Sequence, residues 1–219
     1  MKYYYNMLFL KKLFNLFIPE DKKIEKLLNL SQSELRKILP RAETVKDLLT
    51  FPIFNYRNKN VSAIIWAVKY RFHPELIKRL SEFLYEEIME IAEDRLLFEG
   101  KSEIALIPIP MSNKTRRERG FNQTEELCSV VSKISNGEIK VLNILEKIKD
   151  TAHQTKLSRE ERLQNMKNTM KAKIGNYKIG NYLFIIIDDV YTTGATISEA
   201  RRALREAGVK RALAVSLAH

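Results

Sequence analysis

Phe184-Ile185-Ile186-Ile187-Asp188-Asp189-Val190-Tyr191-Thr192-Thr193-Gly194-Ala195-Thr196 decides how the chain is read. Four large apolar residues lead into two carboxylates, and a short loop of threonines and one glycine follows. Beyond it, Ile197, Ala200, Ala203 and Leu204 recur at helical spacing on one face. A strand, a tight loop and a helix in that order aim backbone N–H groups and a helix N-terminus at an anion. Gly194 permits close backbone approach, and the threonine hydroxyls add donors for phosphate oxygens. Asp188 and Asp189 supply acceptors for a hydroxyl-rich ligand or for Mg2+.

Upstream, Glu103 to Pro110 reads as a strand ending in a proline-stiffened turn, and a polar basic loop follows. That loop carries Lys114, Arg116, Arg117 and Arg119 before Gly120 and a helix from Phe121 to Ile134. Cations at this spacing alone read as a solvated charged loop; guanidiniums beside a helix start also suit a pyrophosphate, because the planar fork matches its oxygens. No aromatic side chain is interleaved with these cations. A third segment, Thr151 to Asn165, contains Ser158 and Glu161 at capping-box spacing and opens an excursion with one short helix. Ile139–Leu145 is a candidate strand, Tyr182–Ile187 the strand of the opening segment, and Arg211–Ala218 a closing strand after Gly208. Strands alternating with helices imply an α/β domain whose sheet is mainly parallel. Ligands on such sheets sit beyond the carboxyl ends of the strands.

The first fifty residues read differently. Leu10, Leu13, Phe14 and Phe17 share a helical face, Pro19 marks a break, and Ser31 with Glu34 caps a short helix that stops near Pro40. Ile53–Asn60 then reads as a short strand and a polar turn, followed by helices over Val61–Tyr70 and from Pro74 to about Phe98. The expected division is a helical extension over 1–50 and an α/β domain over 51–219.

Lys+Arg of 38 against Asp+Glu of 27 gives a net charge of +11, which favours phosphates, nucleotides or nucleic acid as partners. Cys128 is the single cysteine, so neither a disulfide nor a cysteine-based zinc site is expected, and its apolar neighbours make it a core residue. No apolar run reaches spanning length, and a cytoplasmic location without stable membrane insertion is expected.

The opening segment resembles the phosphoribosyl-pyrophosphate signature of the type I phosphoribosyltransferases, with all thirteen positions fitting. Pro108 and Pro110, then Arg119 to Gln123, and further on Thr151, Gln154, Leu157, Ser158, Glu161, Arg162 and Asn165 are similar to motifs of the ComF family of competence-associated, phosphoribosyltransferase-like proteins. Tyr56 and Lys69-Tyr70-Arg71 fit a further motif of that family. The resemblance covers residues 51–219. Many relatives begin with a cysteine-rich zinc ribbon; here a helical segment stands in its place.

The resemblance implies a type I phosphoribosyltransferase-like sheet flanked by helices, binding phosphoribosyl pyrophosphate and Mg2+. Asp188 and Asp189 would hold the ribose hydroxyls and act as the catalytic pair. Thr192, Thr193, Gly194, Ala195 and Thr196 would cup the 5′-phosphate. Arg116, Arg117 and Arg119 would neutralise the pyrophosphate. Mg2+ would be held mainly through the ligand and not by a dedicated protein site. Relatives often carry Arg at Lys147 and Lys149, which makes these two weaker candidates. The implied reaction is phosphoribosyl transfer to a nitrogen nucleophile. The alternative is a non-catalytic adaptor in DNA uptake or recombination, contacting single-stranded DNA or the competence machinery. Dimers are common in this fold, so a homodimer stays open.

Overall fold

The computed structural model describes residues 22–149 and 159–219. The apolar segment over residues 8–17, Pro19, His153 and the Ser158 end of the second capping pattern lie outside the described residues.

Two short helices come first, α1 (Lys22–Leu28) and α2 (Gln32–Ile38). The capping box at α2 forms as its spacing predicts: the Ser31 hydroxyl accepts the Glu34 N–H, and the Glu34 carboxylate accepts the Ser31 N–H at 2.8 Å. Strand β1 (Thr50–Phe54) leads to α3 (Lys59–Tyr70) and the long α4 (Pro74–Glu99). Asn58 caps α3 and Gly100, at φ +60°, closes α4. Strand β2 (Glu103–Pro108), helices α5 (Asn113–Arg119) and α6 (Gln123–Ile134), and strand β3 (Lys140–Val141) follow. Then come β4 (Leu145–Lys147), α7 (Arg159–Met166), β5 (Met170–Ala172), β6 (Tyr182–Val190), α8 (Ala195–Glu206) and β7 (Leu213–Ala218).

Five strands form one parallel sheet in the order β1-β7-β6-β2-β3, and β4 and β5 make a separate antiparallel hairpin. This is the type I phosphoribosyltransferase-like arrangement that the sequence implies. Both sheet faces are covered, so the strands are apolar throughout and their side chains divide by parity. Leu106, Ile185, Ile187, Leu213, Val215 and Leu217 share a core with α3, α4 and α6. Ala105, Ile107, Phe184, Ile186 and Ala214 face the other way, onto Ile197, Ala200, Ala203 and Leu204 of α8 and onto Met166 and Met170. Ile24, Leu27, Leu35 and Leu39 belong to the first of these cores. Cys128 lies fully buried there.

Three segments depart from the sequence reading. The basic loop is largely helical: Ser112 caps α5 by accepting the Thr115 N–H at 3.2 Å, and Gly120 at φ +79° ends it. With no apolar periodicity and no buried residue in α5, hydrophobic patterning carried no sign of a helix there. Ile139–Leu145 divides, Lys140–Val141 pairing with β2 and Leu145–Lys147 leaving to pair with β5. Strand β6 continues past Ile187 through both aspartates to Val190, because β7 offers partners that far, at Ser216 and Ala218.

A switch point follows from this order. After β2 the chain moves to β3 on one side, and after β6 it moves to β7 on the other. A crevice opens outside the carboxyl ends of β2 and β6, the location at which open α/β sheets bind ligands.

Candidate functional site at the carboxyl edge of the sheet

A cleft of about 230 Å³ lies at this crevice, lined among others by Lys69, Arg119, Gln123, Lys147, Asp188, Asp189 and Thr196. The parity of β6 sends its two adjacent aspartates to opposite sheet faces. Asp189 turns toward α3 and α6, where Lys69 Nζ stands 3.0 Å from its Oδ1 and the Gln123 amide donates to Oδ2. Asp188 accepts the Asp189 N–H at 2.8 Å on Oδ1. Both carboxylates are buried, each at 7% exposure.

The Asp189 carboxylate, so close in the same buried pocket, opposes ionisation of Asp188. Burial first, and then the Asp189 charge, push Asp188 up to about 7, against the pull of the Asp189 N–H and of Lys69 and Lys147. Burial works to lower Lys69, but the Asp189 carboxylate offsets it and holds the ammonium above the ordinary lysine range. A cation and an amide thus brace the acidic pair from the α3 and α6 side.

The Arg119–Gln123 segment has a task for nearly every residue. Gly120 provides the left-handed turn between helices, and Phe121 is buried edge-on against Phe72 with ring centres 5.2 Å apart. Asn122 caps α6 through the Thr124 N–H at 3.1 Å and donates to the Ile109 carbonyl at 3.0 Å. The Thr124 hydroxyl donates to the same carbonyl at 2.9 Å. Together they fasten the end of β2 to the start of α6. Gln123 is the one aimed at the acidic pair. Its Nε2 serves Asp189, which leaves Oε1 buried without a hydrogen-bond partner. An unpaired buried acceptor is costly and calls for a donor.

The Tyr191–Thr196 loop joins the carboxyl end of β6 to α8. Gly194 sits at φ +78° as the N-cap of α8, and a Cβ there would meet the Tyr191 hydroxyl at 2.7 Å. The backbone conformation therefore demands glycine, and a Cβ would also displace the Tyr191 ring. The Tyr191 N–H is held by the Ala218 carbonyl, and its own carbonyl lies 2.9 Å from His219 Nδ1. The first intrahelical bond of α8 is donated by Ser198 to Gly194 O, so the N–H groups ahead of it face the loop without helical acceptors. Thr196 lines the cleft, the Thr193 hydroxyl accepts the Ala195 N–H at 3.4 Å, Ala195 is buried and Thr192 is exposed.

The three arginines separate. Arg119 lines the cleft, Arg116 is ion-paired to Glu125, and Arg117 is exposed. Lys147 lines the cleft from the β4–β5 hairpin, while Lys149 lies beyond the strand. Lys69, Gln123 and Asn122 were not singled out as site residues from the sequence; the Lys69-Tyr70-Arg71 and Arg119–Gln123 motifs were the signals available for them. Among the described residues no group of three or more His, Cys, Asp or Glu is arranged to hold a metal ion. No helix among them is long and apolar enough to cross a membrane.

No family model matches the chain. Curated proteins resemble it over much of its length, and three of them illustrate the likeness. Competence protein F of Haemophilus influenzae is 29% identical over 153 residues, covering 68% of this chain and 64% of that protein. Competence protein ComFC of Bacillus subtilis is 27% identical over 165 residues, covering 66% and 65%. DNA utilization protein YhgH of Escherichia coli K12 is 26% identical over 148 residues, covering 68% and 62%. The chain thus spans just under two thirds of these relatives' own length. The parallel sheet, the paired aspartates at its carboxyl edge and the Pro108–Pro110 and Arg119–Gln123 segments beside them accord with these similarities, which support the resemblance to the ComF family.

Proposed function

We propose that the cleft binds phosphoribosyl pyrophosphate with Mg2+ and transfers its phosphoribosyl group to a nitrogen nucleophile, in the service of DNA uptake or utilization. The carrying observation is the Gln123 Oε1 acceptor, buried without a partner beside two buried carboxylates. Vicinal hydroxyls would supply the donors that this set of acceptors lacks. Thr196, the Thr192–Ala195 loop and the start of α8 suit the 5′-phosphate, whose charge the helix N-terminus favours. Arg119 and Lys147, which line the cleft, are the cations suited to a leaving pyrophosphate, with Lys69 held at Asp189.

The oxygen donors of Asp188 and Asp189 suit a hard cation, and Mg2+ bound through the ligand would supply charge neutralisation for the pyrophosphate. In the transfer, a bond forms between the incoming nitrogen and C1 of the ribose. The C1–oxygen bond breaks and pyrophosphate leaves with the electron pair, the nucleophile's proton passing to solvent. The transition state is positive at the ring, so the buried aspartates stabilise it electrostatically.

Titration calorimetry with phosphoribosyl pyrophosphate and Mg2+ tests this reading. The wild type is expected to bind, and an Asp188→Asn/Asp189→Asn variant of unchanged circular dichroism is expected to lose binding. Equal binding by both would remove the cleft from consideration. The relatives' names and the net charge of +11 support a second reading, a non-catalytic adaptor on the DNA-uptake route. A folded wild type that binds no phosphoribosyl pyrophosphate would favour it.

A further inference from the structure

At the opposite end of the sheet, the amino ends of β2, β6 and β7 are stepped. Strand β6 pairs with β2 from its first residue, Tyr182 opposite Glu103, but with β7 only from Ile185, opposite Leu213. Tyr182–Phe184 therefore has no strand neighbour on the β7 side, and a notch of about 280 Å³ opens there. It shares no lining residue with the cleft, and the run of β6 from Tyr182 to Asp188 sets the two about 20 Å apart. Lys101 Nζ donates to Gly180 O at 2.7 Å and the Ser102 N–H to Asn181 O at 3.1 Å, so the start of β2 braces the 3-10 turn Ile179–Asn181 on one side. On the other side Gly208 comes so near that a Cβ would lie 3.4 Å from Ile179 Cδ1. Ile179, Val209 and Leu213 line the notch with Tyr182 and Phe184, whose rings lie 5.7 Å apart. Three cations complete it, Lys101 from the β2 side and Lys210 and Arg211 from the β7 side. No carboxylate is among the described residues that line it. Glu206, which ends α8, is paired with Arg202 at 2.5 Å, and neither Lys167–Ile187 nor Ala207–His219 contains an acidic residue.

We propose that this notch is a second ligand site, for a nucleoside monophosphate whose base lies against Tyr182 and the apolar lining while its phosphate meets Lys210, Arg211 and Lys101. Concave, mostly apolar pockets with a few converging polar groups are where small ligands bind. Arginine's planar fork takes two phosphate oxygens, and lysine adds a point charge. A bare phosphate would match the cations and leave the apolar lining in water. An uncharged ring would cover that lining and gain nothing from the cations. A flat ring joined to a phosphate satisfies both. Lys101 and Lys210 come from distant parts of the chain, and only the stepped ends of neighbouring strands bring them to one cavity.

Titration calorimetry of the full chain with AMP is expected to show saturable binding, about ten-fold or more tighter than that of inorganic phosphate or of adenosine, since each half of the ligand contributes. Lys210 and Arg211 are exposed and lie outside the core. Lys210→Ala/Arg211→Ala is therefore expected to keep the wild-type melting temperature and to weaken AMP binding about ten-fold or more, the scale of a lost charge-assisted hydrogen bond. Tyr182→Phe, which keeps the ring, is expected to retain most of the affinity. Amide chemical shifts locate the ligand, and those of Gly180, Gly208 and Lys210 are expected to move on addition of AMP. Absence of AMP binding, affinity no greater than for phosphate, shifts confined to the Thr192–Thr196 loop, or full affinity in the double alanine variant would each overturn the proposal. The titration contains neither phosphoribosyl pyrophosphate nor Mg2+, and no residue changed in it lines the cleft. Its failure is therefore distinct from failure of the reading above.

Discussion

At the scale of the residue, Asp188 and Asp189 show how one peptide unit separates two identical side chains. Strand parity gives Asp189 a cation and an amide, while Asp188 keeps a backbone N–H and its neighbour's repulsion. An acid pushed up to about 7 in the folded state binds a proton more tightly there than in the unfolded chain, where its pKa is near 3.8. Its favourable contribution is complete below about pH 4 and is lost as pH rises toward 7. Removing the charge should therefore stabilise the metal-free protein at high pH. Asp188→Asn, whose side-chain oxygen still accepts the Asp189 N–H, is expected to raise the unfolding free energy at pH 8 by on the order of 1–3 kcal/mol. The gain should shrink as pH falls toward 4. Thermal melts in EDTA at several pH values check this; a variant less stable at pH 8 would show that the pair is held by more than the contacts described.

At the scale of the element, the β4–β5 hairpin reaches the cleft because α8 holds it there. Buried Glu199 accepts the N–H groups of Thr169 and Met170 at 2.8 and 3.0 Å and pairs with Arg202 at 2.9 Å. Arg202 in turn donates to the Met170 carbonyl at 2.8 Å. Burial pushes Glu199 up, but the bonds from Arg202 and the two amides hold it below the ordinary range. Glu199→Ala would leave two buried N–H groups unserved and take from the Arg202 guanidinium one of its two carboxylate partners, Glu206 remaining. A loss of about 3 kcal/mol is expected, on the scale of breaking a buried charged network. The check is denaturant unfolding, together with faster amide exchange at Thr169 and Met170. Unchanged exchange there would mean that the hairpin is held by Met166 and Met170 packing alone. The apolar face of α8 was legible from the spacing of Ile197, Ala200, Ala203 and Leu204. Glu199, beside that face, gave no sign of being buried, since the amides it accepts lie about thirty residues upstream in a segment of weak patterning.

At the scale of the molecule, Arg201 fastens the segment ahead of β1 to the far side of the sheet. It donates to Ala212 O at 2.9 Å and to Leu49 O at 2.7 Å, and it pairs with Asp47. Asp47 also accepts from the Thr50 hydroxyl at 2.7 Å and the Leu49 N–H at 3.1 Å. The Arg201 side chain is only 13% exposed. Arg201→Ala is expected to cost about 3 kcal/mol and to lower the melting temperature by several degrees. A melting temperature within a degree of wild type would show that β1–β7 pairing needs no such tie.

The amino-acid sequence by itself determined which residue types occupy the carboxyl edge: the two aspartates, the threonine–glycine loop, the Arg119–Gln123 run, the Ser31 cap and the apolar faces. Those follow from local rules of periodicity, capping and loop chemistry, which act over a few residues. Tertiary structure decided which of them meet. It delivered Lys69 and Gln123 to Asp189, turned Arg116 to Glu125 while leaving Arg119 at the cleft, and set Trp66 and Tyr70 beside Arg119. The physical reason is that charge pairing and ring stacking depend on distance in space. The order of strands in the sheet, which no short window of sequence contains, sets those distances.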